Sequence, residues 1–249
     1  MSMVYQNLIV DSTNRKKRKA EKQYLALRFL RQHLWSTQSI LQAVLKLQSR
    51  QAAHKSLCQM EQAGLVKSHI FNALGGKLTL WGITAHGQVV AFIPEHEEPY
   101  SAYFEPSRIS EQMMRHQLDL QMIRIKAEAL GWENWLDGDR LGNFENDNKR
   151  PDATVLNESG LKVAIECERT FKTTKRYEQI LLSYLRLLKS GEIKEVIWIS
   201  PSEDFSKRLK ILITSIKKLK VAGQFIQIDP NKHHANLYFC SYESWPNYV

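Results

Sequence analysis

Three carboxylates, Asp152, Glu166 and Glu168, have the spacing to do chemistry together. Asp152 follows Pro151 and stands fourteen residues before Glu166, with Glu168 two further on. Two β-prone stretches carry them, residues 150–156 and 161–169, joined by the turn-forming Asn157-Glu158-Ser159-Gly160. Strand alternation sends Val163, Ile165 and Cys167 to one face and Ala164, Glu166 and Glu168 to the other. Two carboxylates on one face repel unless something positive lies between them. Asp152 on the partner strand adds a third oxygen donor, and such a trio suits Mg²⁺ or Mn²⁺. The same alternation also fits an exposed strand, with both glutamates solvated beside Lys162 and Arg169.

The elements around this hairpin predict a layered domain. Residues 110–130 read as a helix whose apolar side includes Met113, Met114, Leu118, Leu120, Met122 and Ile125, closed by Gly131. A strand region is expected within 132–141, then a polar loop through Asn148. Thr173-Thr174 caps a helix to about Lys189, with Tyr177, Ile180, Leu181, Tyr184, Leu185 and Leu188 along its seam. Residues 196–200 form a buried strand, a helix lies within 203–220, and a last strand pair runs through 225–228 and 237–239. The fold class that follows is α/β (α+β), a mixed sheet flanked by helices.

Charge separates this part from what precedes it. Residues 1–110 hold 14 Lys and Arg against 7 Asp and Glu, whereas the remainder holds 21 against 19. Arg15, Lys16, Lys17, Arg18 and Lys19 form one run, expected as a mobile arm over 1–19 that tracks phosphates. Three amphipathic stretches follow: 20–35, 40–47 after the cap Ser36-Thr37, and 50–63 ending at Gly64. The third shows Arg50, Gln51, His54 and Lys55 on its polar side, donors for phosphates and base edges. Gly75-Gly76 then divides two β-prone runs over 67–92, a hairpin signal. The segment Leu80-Trp81-Gly82-Ile83-Thr84-Ala85-His86-Gly87 resembles the wing strand of bacterial winged helix-turn-helix proteins. Residues 20–95 are therefore expected as a DNA-binding winged helix, 96–109 as an acidic, proline-flanked linker, and 110–249 as the second domain.

Pro151-Asp152, thirteen residues and then Glu166-Cys167-Glu168 resembles the PD-(D/E)xK motif of the restriction-endonuclease-like nuclease fold, with Glu168 where lysine is usual. A winged helix joined to such a core, with Glu-Cys-Glu-Arg-Thr running on to Lys172 and Lys175-Arg176-Tyr177, is similar to plasmid replication-relaxation proteins. More closely, it is similar to the MobC-type relaxases of mobilizable plasmids. The resemblance spans roughly residues 20–220 and implies nicking of one strand of supercoiled plasmid DNA at a transfer origin. It further implies Asp152, Glu166 and Glu168 as ligands of Mg²⁺ or Mn²⁺, and other relaxosome proteins and a coupling protein as partners. Glu168, Lys172 or Lys175 would take the role of the missing lysine, and Arg169 and Arg176 would clamp phosphate. Tyr177 is a candidate covalent nucleophile, although it shares an apolar seam with Tyr184. Glu128 is a candidate for completing the metal shell, although a lone glutamate on a helix is more often a surface residue.

Other chemistries find less support. The chain has no His-hydrophobe-His triplet of the kind that binds metal in the common relaxases, and His233-His234 would point to opposite strand faces. His116 reads as structural. Three cysteines do not make a disulfide framework. No apolar stretch approaches the ~20 residues of a membrane span, and no leader opens the chain, so a bacterial cytoplasmic location is expected. Two further readings stand beside the nickase: a non-catalytic DNA-binding accessory or copy-control protein with a degenerate nuclease fold, and an endonuclease that cuts both strands.

Overall fold

A computed structural model describes residues 11–95, 102–141 and 149–248. The chain divides into two compact units between Gln121 and Met122.

The first unit begins with α1 (Ser12–His33), capped by Asp11, whose carboxylate accepts from the amides of Thr13 and Asn14. The run Arg15 to Lys19 therefore lies inside a helix and not in an arm ahead of the first element. Lys and Arg are good helix formers. Arg18 also pairs with Glu21 at 2.8 Å and donates to the Leu45 carbonyl at 3.2 Å, which offsets the repulsion within the run. Strand β1 (Trp35–Thr37), helix α2 (Gln38–Val44) and helix α3 (Arg50–Gln62) follow, with Thr37 and Ser49 as the helix caps.

Strands β2 (Val66–Ala73) and β3 (Gly76–Ile83) pair as an antiparallel hairpin. Its two turn residues are Leu74 and Gly75, both at positive φ, the conformation that matches the twist of the paired strands. β1 adds to the other edge of β3, giving the order β1-β3-β2. The β-prone run expected to reach Phe92 stops at Ile83. Thr84 there turns the chain into α4 (Ala85–Ala91), its hydroxyl accepting from the Gly87 amide at 3.0 Å. Ala26, Leu27, Leu30, Leu41, Leu57 and Ile83 are all buried within this unit. Of the expected linker 96–109, residues 96–101 lie outside the described residues. Phe104, beyond them, is fully buried with Trp35, Leu80 and Met114.

The unit boundary falls within α5 (Glu111–Ala129). The second unit then runs through β4 (Glu133–Asp137), β5 (Ala153–Leu156), β6 (Lys162–Cys167), α6 (Thr174–Ser190), β7 (Glu195–Ser200) and α7 (Glu203–Thr214). Next come β8 (Lys218–Val221), β9 (Gln224–Gln227), the short α8 (Pro230–His233) and β10 (Leu237–Ser241). Five strands form one mixed sheet in the order β10-β7-β6-β5-β4. β4, β5 and β6 are antiparallel neighbours, while β6, β7 and β10 run parallel. One face packs on α6 and α7 through Ala164, Ile180, Leu181, Val196, Trp198, Leu209 and Ile213.

One expectation holds and one is corrected at the C-terminal end. The helix within 203–220 ends at Thr214, and Lys218–Val221 is a strand paired with β9 as a separate hairpin. Residues 225–228 and 237–239 do not pair with each other, because β10 instead joins β7 in parallel. That register buries Leu237 and Cys240, which pairing with the exposed β9 would leave in water. Among the described residues no helix is long and apolar enough to cross a membrane.

Candidate functional site

The acidic residues gather at one end of β5 and β6. In the β5–β6 register Ala153 faces Ile165, so Asp152, one step back, comes opposite Glu166 on the face toward α6. The Asp152 amide donates to the Ile165 carbonyl at 3.1 Å, and its side-chain Oδ2 accepts from the Cys167 amide at 2.8 Å. Glu166 and Glu168 are both buried, 2% and 3% exposed, which rules out the solvated-strand alternative.

Burial of two glutamates requires compensating charge. Lys149 forms an ion pair with Glu166 Oε1, and the same oxygen accepts from the Tyr184 hydroxyl. The Lys149 amide donates to Ser183 Oγ at 3.1 Å, and its ammonium lies 5.7 Å from the centre of the Tyr184 ring. Lys172 pairs with both oxygens of Glu168 and lies 5.9 Å from the centre of the Tyr177 ring. Helix α6 thus contributes Tyr177, Ser183 and Tyr184 from its buried side. It starts where it does because Thr173 caps it through the Arg176 amide.

The electrostatics follow from dehydration. Burial raises the Glu166 carboxyl to about 7, with Lys149 opposing and Asp152 reinforcing the rise. Burial lowers the Lys149 pKa, but the carboxylates of Glu166 and Asp152 outweigh it and leave it raised. The Tyr184 hydroxyl is held well above its usual range by burial and by Glu166. Burial also takes Tyr177 to about 12, and its hydroxyl accepts the Lys172 amide at 3.2 Å.

The remaining sequence candidates make contacts of their own. Arg169 donates to the Tyr242 hydroxyl at 3.3 Å. Arg176 is exposed and bonds Gln179 at 3.2 Å, while Lys175 is exposed at the start of α6. Glu128 is paired with Arg124 at 2.6 Å on α5. Lys149 was missed in the sequence because it sits in a polar loop outside the motif, where only its type and its three-residue distance from Asp152 signalled anything.

Among the described residues no group of three His, Cys, Asp or Glu side chains is arranged to hold a metal ion. Glu168 is drawn onto Lys172, which leaves Asp152 and Glu166 as the facing acids. These two still fit a hard divalent cation, since Mg²⁺ commonly takes one or two carboxylates and completes its shell with water and phosphate. Ser200, following the Ile199 whose carbonyl accepts the Glu168 amide, adds a buried hydroxyl without a hydrogen-bond partner among the described residues.

In the first unit Arg50, Gln51, His54 and Lys55 all lie on α3, whose Ala53 and Leu57 face the core. Arg50, His54 and Lys55 are exposed there. Arg15, Lys16, Lys17 and Lys19 are exposed on α1, with Arg18 half-buried.

Fold and site together define a two-unit α/β protein, with a basic helical unit ahead of a mixed sheet whose strand ends carry an acid–lysine cluster. The family model described as replication-relaxation matches residues 27–197, more than half of the 249-residue chain, and the chain belongs to that family. The match runs from within α1 to within β7 and so includes the whole acid–lysine cluster. Membership suggests a role in plasmid replication or mobilization, with DNA involved. No curated protein and no solved structure matches the chain.

Proposed function

We propose that the protein is a plasmid DNA relaxase. Its first unit grips duplex DNA at a transfer origin, and its second nicks one strand with the help of Mg²⁺ or Mn²⁺. The observation that carries the nicking reading is the placement of Asp152 opposite Glu166 in a buried, lysine-flanked cluster at the strand ends. This supports a degenerate PD-(D/E)xK core in which the motif lysine is replaced from elsewhere in the chain. The order α1-α2-α3 followed by the β2–β3 hairpin supports a winged helix, with α3 as the helix that reads the groove. Other relaxosome proteins and a coupling protein would be the partners, in a bacterial cytoplasm.

Asp152 and Glu166 would hold the cation, which when bound supplies Lewis-acid polarisation of a phosphate and a more acidic water. The chain's own residues do the rest. Lys149 pairs with Glu166 and opposes the rise in its pKa that burial causes, and the Tyr184 hydroxyl orients the carboxyl. Lys172, about one third exposed, is the cation best placed to leave its carboxylate for a phosphate oxygen. Incubation of supercoiled origin plasmid with Mg²⁺ or Mn²⁺ tests the reading: open circles are expected, and Asp152→Asn or Glu166→Gln should lower their yield at least ~100-fold. Equal nicking by parent and variants removes these residues from the active site.

One observation favours a second reading, a DNA-binding accessory or copy-control protein that does not cut. Each acid of the cluster already has a partner, Lys149 on Glu166, Lys172 on Glu168 and the Cys167 amide on Asp152. It predicts site-specific retention of DNA without metal and no nick under any condition.

A further inference from the structure

Helix α6 has two apolar sides, and the core of the second unit takes up only one of them. Ile180, Leu181, Tyr184 and Leu187 are buried there, whereas Leu182, Leu185 and Leu188 are half-buried. Those three leucines form one wall of a cavity of about 500 Å³, and the β8–β9 hairpin forms the other. Leu219 and Ile226 are partners across that hairpin, and Val221, two residues on from Leu219, shares their side. Ile226 is 53% exposed, so the opposite wall leaves much of its surface uncovered. Arg186 and Lys189 from α6 and Lys232 from α8 also line the cavity. All three are exposed and without a carboxylate partner among the described residues. The cavity lies wholly within the second unit and shares no residue with the acid–lysine cluster.

We infer that this cavity binds an aliphatic carboxylate, with its chain between α6 and the hairpin and its head on Arg186, Lys189 and Lys232. A volume of this size, with aliphatic walls and a few convergent polar groups, is the form of a small-molecule site. Each methylene moved from water into such a slot is stabilising. At the head, a guanidinium fork matches a carboxylate through two parallel hydrogen bonds, and the lysines add charge. Other occupants fit less well. A nucleic acid would meet no Phe, Tyr or Trp on which to stack a base. Two copies joined symmetrically through this cavity would set the same cations against one another. The inference is independent of the DNA readings, since it uses none of their residues.

The test uses the full chain labelled with ¹³C at the isoleucine methyl groups. Ile226→Val identifies the Ile226 signal, and the other isoleucines report whether the variant is folded. Sodium decanoate, kept below its micelle concentration, is expected to move the Ile226 signal saturably, with one molecule bound per chain by calorimetry. Octanoate, shorter by two methylenes, should bind about tenfold more weakly. Replacing Arg186, Lys189 and Lys232 together with glutamine keeps the apolar walls and should weaken decanoate at least ~tenfold, as expected from the loss of a charged hydrogen bond. Equal binding by this variant and the parent overturns the assignment of the head. If decanoate leaves Ile226 unmoved, or binds in many copies per chain, the inference is wrong. A signal that moves with protein concentration alone means that a second copy covers the cavity. One that moves only with a synthetic peptide alternating leucine and glutamate means that a protein segment does. Either result also overturns the inference.

Discussion

With its ammonium on Glu166 and its amide on Ser183, Lys149 supplies the charge that makes a buried glutamate tolerable at the end of β6. Removing one partner of such a pair leaves the other uncompensated in a dry site. Lys149→Met is therefore expected to cost roughly 3 kcal/mol of stability at neutral pH, read from urea unfolding. Glu166→Gln should cost less, because Lys149 retains some access to water. Glu166 also predicts a pH dependence. Its folded pKa is raised from 4.5 to about 7, so the unfolded chain releases this proton first. Its contribution is fully present below the unfolded pKa and is lost as pH rises through about 7. In metal-free buffer the stability of Glu166→Gln relative to the parent should therefore rise across that window. Parallel pH profiles for the two proteins would show that Glu166 is not the group responsible.

At the scale of elements, the junction from β3 to α4 shows how one residue type redirects the chain. Thr84 caps α4 through Gly87, and its own hydroxyl donates to the Gly64 carbonyl at 2.6 Å, tying the end of the hairpin to the end of α3. A Cβ on Gly87 would stand 2.1 Å from the Leu65 carbonyl oxygen, a backbone atom that cannot swing aside. Gly87→Ala is therefore expected to lose about 1–3 kcal/mol, measured as a lower urea midpoint. An unchanged midpoint would mean that α4 is not packed against Leu65. The stretch from Leu80 to Gly87 was legible as a strand ending in a motif. The helix after it was not, because Thr-Ala-His-Gly reads equally well as strand, turn or helix cap until the partner carbonyls are known.

At the scale of the whole molecule, most of the excess positive charge belongs to the first 110 residues and is carried on the helices α1 and α3. Replacing Arg15, Lys16, Lys17 and Lys19 with glutamine should preserve α1, since glutamine is a good helix former. The slope of log K against log salt for duplex DNA should then flatten by about 0.9 for each phosphate that is no longer neutralised. Sequence preference should survive, because a grip on phosphates positions a protein without specifying bases. Titration of duplex at several salt concentrations checks this, and an unchanged slope would take α1 out of the DNA-binding surface.

The sequence by itself determined the α/β class, the hairpin that carries the acids, the helix with the Tyr177–Tyr184 seam and the basic first part of the chain. These follow from periodicity and composition, which are local properties and survive without knowledge of partners. Tertiary structure alone decided what neutralises the acids. Lys149 reaches Glu166 from seventeen residues away, and Lys172 pairs with Glu168. It also decided that β10 lies parallel beside β7 and that β1 completes the first sheet. Such pairings depend on which surfaces meet once the chain closes on itself. The charges that make a buried carboxylate tolerable come from those meetings and from no pattern along the chain.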